Sequence, residues 1–203
     1  MIVIAGGDSF VWGSELSDSP HGGPDGYSRQ SFTALLAKDH QYQCVAYPGL
    51  GNSDIAKRVR AACEKSKGIV IVSWSWPTRD DRLTSDREIL QLQQYLEYHE
   101  FPYLFTCADN CVVTNHPTIN WDRWFLFPVI PNSGWHPNEE PRGFYQWALE
   151  NKYELALKDR HPLEQAHVDA ANLMRGKFDE LVKEYLEQDH VRDPLSQETQ
   201  RTT

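Results

Sequence analysis

Apolar positions fall into two rhythms along this chain. Short continuous runs occur at 2–5 (IVIA), 42–46 (YQCVA), 69–74 (IVIVSW) and 102–106 (PYLFT). Each has strand length and is bounded by turn-forming residues, so each predicts a buried strand. The run at 69–74 is apolar on both faces until Ser73, the pattern of a central strand covered on both sides. Between these runs the spacing changes to that of amphipathic helices. Residues 29–39 place Phe32, Leu35 and Leu36 on one face. A turn at 48–53 opens a helix to about residue 66, with Ile55, Val59 and Ala62 inward. Residues 84–99 carry Ile89, Leu92, Tyr95 and Leu96 on one side. Residues 143–150 predict one short helix. Pro162 opens a last helix to 187, striped by Leu163, His167, Ala170, Met174, Phe178, Leu181 and Tyr185. Residues 14–27 read as a loop, 109–141 as an irregular stretch rich in aromatics and prolines, and 188–203 as a polar tail.

Strands alternating with helices predict an α/β fold, a three-layer α/β/α sandwich around a mostly parallel, flavodoxin-like sheet. The domain is expected to span 1–187, followed by a flexible tail. In such sheets the functional loops lie at the carboxyl ends of the strands. Three stretches fall there: Gly7-Asp8-Ser9, Gly49-Leu50-Gly51-Asn52 and Trp74-Ser75-Trp76. They follow successive strands and are expected to converge.

Composition narrows the function. With a formal net charge of −9 and no Lys/Arg-rich run, the chain is not expected to bind nucleic acid, whose affinity rests on neutralising phosphates. No apolar run approaches the roughly 20 residues of a membrane helix, and no membrane partner is expected. Met1 leads directly into a strand with no basic leader, so the expected location is cytoplasmic, or host cytoplasm or virion for a phage-encoded protein. Cys44, Cys63, Cys107 and Cys111 fit no zinc or disulfide framework and read as reduced thiols. His116 and His136 each precede a proline without a third ligand at recognisable spacing, so neither a metal nor another cofactor is expected.

The candidate chemistry begins with the first strand, which runs into Gly6-Gly7-Asp8-Ser9. Such a turn either cradles a phosphate or presents a nucleophile. A serine hydroxyl needs a base to take its proton and donors aimed at the developing oxyanion. The segment Asp159-Arg160-His161-Pro162, just before the last helix, supplies a histidine and an acid in a loop that can face the first strand's exit. Asp8 reads as structural, a short acid beside a tight turn bonding backbone amides. His167, on the inward stripe, reads as a hydrogen-bonded core histidine.

Gly7-Asp8-Ser9-Phe10 resembles the first motif block of the SGNH, or GDSL-type, hydrolases. Asp159-Arg160-His161-Pro162 resembles their last block, and Gly51 in PGLGNSDI their second. Order and spacing match over nearly the whole chain, in the compact style of bacterial and phage versions. The resemblance implies a serine esterase with Ser9 as nucleophile, His161 as base and Asp159 as the orienting acid. The amides of Ser9 and Gly51 then act as oxyanion donors. Two departures stand out. Where the family has Gly-x-Asn-Asp, this chain reads Trp74-Ser75-Trp76-Pro77-Thr78-Arg79, so the Ser75 hydroxyl is the nearest positional match for the third donor. The usual Asp-x-x-His is here Asp-x-His, with Lys158 three residues before His161.

The expected substrate is a carboxylic ester. Trp12, Trp74 and Trp76, together with Trp135, tilt the expectation toward O-acetyl groups on a carbohydrate, because broad aromatic faces stack on sugar rings. Asn52 and Arg79 are further substrate-binding candidates, Arg79 for an anionic group. Two other functions compete. A non-catalytic protein could use the same scaffold for binding or in a virion. A nucleotide-binding module could use Gly6-Gly7, but Gly-x-Gly-x-x-Gly and the P-loop Gly-Lys-Ser/Thr are absent, and Asp8 would repel a phosphate.

Overall fold

A computed structural model describes residues 1–19, 26–109, 117–128 and 143–192. Cys111, His116, Trp135, His136 and the chain from 193 onward lie outside the described residues. The four apolar runs form β1 (Ile2–Gly6), β2 (Gln41–Cys44), β3 (Ile69–Trp74) and β4 (Tyr103–Cys107). They build one sheet in the order β2-β1-β3-β4, with every pairing parallel. The helices are α1 (Ser9–Trp12), α2 (Phe32–Leu36), α3 (Asn52–Cys63), α4 (Arg82–Tyr98), α5 (Phe144–Glu150) and α6 (Glu164–Arg192).

Period-two alternation divides each strand between two cores. Val3, Ala5, Ile69, Ile71 and Leu104 face α1, α2, α5 and α6, where Phe32, Phe144, Met174 and Phe178 are buried. Ile4, Val70, Val72, Trp74 and Phe105 face α3 and α4, where Ile55, Val59, Leu92 and Leu96 are buried. Each fully buried aliphatic side chain contributes about 1.5–3 kcal/mol. These two cores make the expected three layers. Among the described residues, no helix is long and apolar enough to cross a membrane.

The last helix, α6, runs to Arg192, five residues into the stretch expected as a tail. Two further elements differ from the sequence pattern. The helix expected over 29–39 contracts to Phe32–Leu36 because both its ends bond to α6. The Phe32 amide donates to Nδ1 of His167 at 3.1 Å, and Arg175 donates to the carbonyls of Leu35 and Leu36 at 3.0 and 2.9 Å. The second difference is α1, a single turn between β1 and the loop expected at 14–27, whose first residue is Ser9.

His167 is buried, as its place on the α6 stripe predicts. Its Nδ1 accepts from the Phe32 amide, so the proton of the neutral ring sits on the other nitrogen. Burial holds its pKa down at about 3. The unfolded chain therefore binds a proton that the folded protein refuses between pH 6.5 and 3. The neutral ring's contribution is complete above pH 6.5 and is lost as the pH falls through that window. Denaturant titrations from pH 6.5 to 4.5 are expected to show stability falling by up to about 1.4 kcal/mol per pH unit from this group. The slope should shrink measurably in His167→Leu; an unchanged slope would exclude His167 as its source.

Candidate active site

The site is assembled at the carboxyl end of the sheet. β1 ends at Gly6 and Gly7, and both glycines answer to close approach. A Cβ on Gly6 would collide with Val59 of α3, and one on Gly7 would lie 2.5 Å from Val11 and 3.1 Å from the Ser73 carbonyl. The chain then turns at once into α1. Asp8 caps it, its Oδ1 accepting from the Phe10 amide at 3.1 Å. Ser9 thus takes the first helical position.

His161 comes from the opposite end of the chain. Its Nε2 lies 2.9 Å from Ser9 Oγ. The loop carrying it is clasped by two backbone bonds, Ala156 N–H to the His161 carbonyl at 2.8 Å and Leu163 N–H to the Glu154 carbonyl at 3.0 Å. Phe10 packs edge-on against the imidazole, with ring centroids 5.3 Å apart. The acid on the other face of the ring is Glu15, whose Oε2 lies 2.7 Å from His161 Nδ1. A carboxylate can only accept there, so Nδ1 carries the proton and Nε2 presents its lone pair to Ser9.

The expectation that Asp159 orients the imidazole is therefore corrected by the geometry. Asp159 is more than half exposed, with its carboxylate 3.7 Å from Lys158 Nζ, and it meets the site through its amide, which donates to Glu15 Oε1 at 3.4 Å. The Asp-x-His spacing is one residue short of the familiar one, and the acid's position is filled from the loop after α1 instead. Glu15 itself sits in the left-handed backbone region, with φ 68°, and Arg160 beside His161 does too, with φ 58°. Non-glycine residues there carry strain that surrounding contacts must hold. The holding bonds are visible: Ser17 N–H donates to Glu164 of α6 at 2.7 Å, and Asp18 accepts from Ser28 Oγ and the Arg29 amide.

The third strand's exit is committed elsewhere. Ser75 Oγ donates to Asp8 Oδ2 at 2.9 Å and is fully buried, so its proton is not available to an oxyanion. Asn52 is buried as well and does not face a substrate. Its amide group bonds the main chain of Ser75 twice, accepting from N–H at 2.7 Å and donating to the carbonyl at 3.1 Å, and reaches Ser85 Oγ at 2.5 Å. Trp74 lies wholly inside the core, edge-on to Phe105, and offers no face to a sugar. Trp12 packs edge-on against Tyr27 and Tyr47. Gly51 precedes α3 where Asp80 presses close: a Cβ would lie 2.6 Å from the Asp80 carboxylate, which accepts from the Ser53 amide and so caps the helix.

A cleft of about 410 Å³ opens over Ser9 and His161, walled by Phe10, Pro48, Gly49, Trp76, Arg79, Tyr145 and Asp159. Trp76 is fixed by its indole N–H, which donates to Asp109 at 2.7 Å. A larger hollow over Arg123 and Glu184 is lined by neither Ser9 nor His161, and those two residues are already paired bidentately at 2.6 and 2.8 Å. Among the described residues, Glu15, Asp159 and His161 form the grouping able to hold a metal, with ligand atoms within 4.8 Å of one another. Two of its members are already bonded to each other as described.

Among the solved structures that resemble this one, two superpose on most of the chain. An esterase, EstA, from Pseudoalteromonas sp., inhibited by monoethylphosphonate, superposes with a TM-score of 0.53 over 92% of this chain and 98% of its own, at 12% identity. A two-domain esterase, CEX, active on acetylated mannans and crystallised with mannopentaose, superposes with a TM-score of 0.51 over 89% of this chain, at 14% identity. The match spans 49% of that protein, about half its length. A protein from Desulfitobacterium hafniense described as a lipolytic member of the G-D-S-L family matches at 18% identity and a TM-score of 0.43, over 56% of this chain and 63% of the other. The chain has the SGNH/GDSL-type hydrolase fold. No protein-family model and no curated protein sequence matches it. Within this fold, the departures found here are the acid supplied by Glu15 and the absence of an asparagine after β3.

Asn52 is a test of how the loops are locked together. Asn52→Ala leaves the buried Ser75 N–H and carbonyl without partners, a loss expected to reach about 3 kcal/mol at roughly 1–3 kcal/mol per unsatisfied group. Urea unfolding measures it; a midpoint unchanged from wild type would show that the clasp adds nothing.

Proposed function

We propose that the protein is a serine esterase acting through an acyl-enzyme on Ser9. The observation that carries this is the continuous line of Ser9 Oγ, His161 and Glu15, at 2.9 and 2.7 Å, opening into a cleft. Ser9 Oγ attacks the ester carbonyl while His161 Nε2 takes its proton. Glu15 stabilises the imidazolium and keeps the ring in the productive tautomer. The amides of Ser9 and Gly51 donate to the oxyanion. As the intermediate collapses, His161 returns the proton to the leaving alcohol. Water then enters by the same route and releases the acid.

The substrate proposed is an O-acetyl ester on a carbohydrate. Trp76, Tyr145 and Phe10 line the cleft as a mutually packed aromatic group, with Phe10 and Tyr145 stacked at 5.9 Å, and such surfaces suit the apolar faces of sugar rings. The two-domain neighbour CEX is active on acetylated mannans, which supports this reading.

A fluorophosphonate probe is expected to label Ser9, and mass spectrometry locates the adduct. Ser9→Ala should lose both labelling and hydrolysis of p-nitrophenyl acetate while keeping its thermal midpoint. An unlabelled Ser9 in an inactive protein would favour a non-catalytic use of the scaffold.

The two acids are separated by substitution. Glu15→Gln is expected to lower kcat by about 10³-fold or more, the scale seen when a triad acid loses its charge. Asp159→Asn should stay within about fivefold of wild type, a difference below about 1 kcal/mol. The reverse ranking, read from steady-state kinetics, would return the acid's role to Asp159.

A further inference from the structure

With Ser75 committed to Asp8, the cleft needs another group to meet the oxyanion from the β3 side. Arg79 occupies that side. It lies at the end of a 3-10 turn, Pro77–Arg79, and its side chain is about a quarter exposed on the cleft wall shared with Ser9 and His161. Its Nη1 donates to Asp8 Oδ2 at 3.0 Å, to Ser75 Oγ at 2.8 Å and to the Leu50 carbonyl at 3.1 Å. Its guanidinium carbon stands 4.9 Å from the Trp76 ring centroid. Among the described residues these hydrogen bonds all use one nitrogen, which leaves the N–H groups of Nε and Nη2 for a ligand. The group is also immobilised before any substrate arrives, which is what an effective oxyanion donor requires. A guanidinium stays charged across the working pH range.

We propose that Arg79 is the third oxyanion donor, replacing the asparagine that this chain lacks. The proposal rests on the serine-esterase reading. When the Ser9 Oγ–carbon bond forms, the carbonyl π pair moves onto oxygen and the Ser9 proton goes to His161. Arg79 then donates a hydrogen bond to that oxygen without giving up a proton. On collapse, the carbon–alcohol oxygen bond breaks, the proton on His161 passes to the alcohol, and the Arg79 contact weakens as the carbonyl re-forms.

The test uses p-nitrophenyl acetate, a neutral ester with no anionic group for Arg79 to bind. Arg79→Gln is expected to lower kcat by about 10²-fold or more, with KM within about threefold, because the contact strengthens only in the transition state. Arg79→Lys should recover part of the loss. Because Arg79→Gln strands the buried Asp8 carboxylate, the double variant Asp8→Asn/Arg79→Gln is compared with Asp8→Asn alone, with thermal unfolding confirming that both are folded. A double variant with kcat restored to the Asp8→Asn level would make Arg79 a structural counter-ion and overturn the proposal. So would a loss confined to KM for an anionic ester such as p-nitrophenyl hemisuccinate, which would make Arg79 a substrate anchor. A wild-type protein whose Ser9 resists the fluorophosphonate would overturn the esterase reading and this proposal together, whereas labelled Ser9 with full activity in Arg79→Gln would overturn this one alone.

Discussion

A carboxylate with no exposed surface holds the cleft end of this molecule together. Asp8 accepts from the Phe10 amide, the Ser75 hydroxyl and the Arg79 guanidinium. These donors belong to the turn after β1, the exit of β3 and the 3-10 turn beyond it. Burial pushes the Asp8 pKa up, while Arg79 and the hydrogen bonds pull it down. A charge in such a place is costly unless its neighbours are held in register. The same acid caps α1 and so fixes where the next residue, Ser9, points. Orientation of the hydroxyl and closure of the loops are therefore one constraint.

The histidine side is held by different means. His161 is held at both ring nitrogens and packs T-shaped against Phe10, while its main chain is tied into the 154–163 clasp. Its helix is anchored in turn, because His167 of α6 accepts from the Phe32 amide at the start of α2, and Arg175 donates to the carbonyls at its end. The base is thus positioned by contacts running through α6 into the core rather than by its loop alone. Glu15 and Arg160 both hold left-handed backbone here, a geometry imposed by surroundings rather than by local preference.

Much of this was legible in the sequence because it depends on period and adjacency. Continuous apolar runs with helical stripes between them specify a parallel sheet covered on both faces, since each strand must bury both of its sides. Asp8 beside a tight turn and His167 on an inward stripe likewise declare their structural roles locally. The placement of Ser9 after the first strand and His161 before the last helix follows from the same order of elements, because strands in a parallel sheet deliver their loops to one end.

What the sequence could not decide were contacts between residues far apart or in irregular backbone. Glu15 lies 146 positions from His161 and reaches it from a left-handed turn that carries no periodic signal, whereas Asp159 was prominent only because it is a neighbour in the chain. Ser75 and Asn52 stand at strand and helix ends where side chains can turn toward the cleft or into the protein. Their direction was settled by the buried partners Asp8 and the Ser75 main chain, which require hydrogen bonds once water is excluded. Trp74 and Trp76 are two residues apart and would share a face if β3 ran on, but the strand ends at Trp74 and the chain turns into Pro77–Arg79, so one enters the α3–α4 core and the other the cleft wall. Pattern along the chain determined which layers form, and tertiary packing decided which polar groups meet, because a hydrogen bond depends on direction and distance that composition and spacing do not encode.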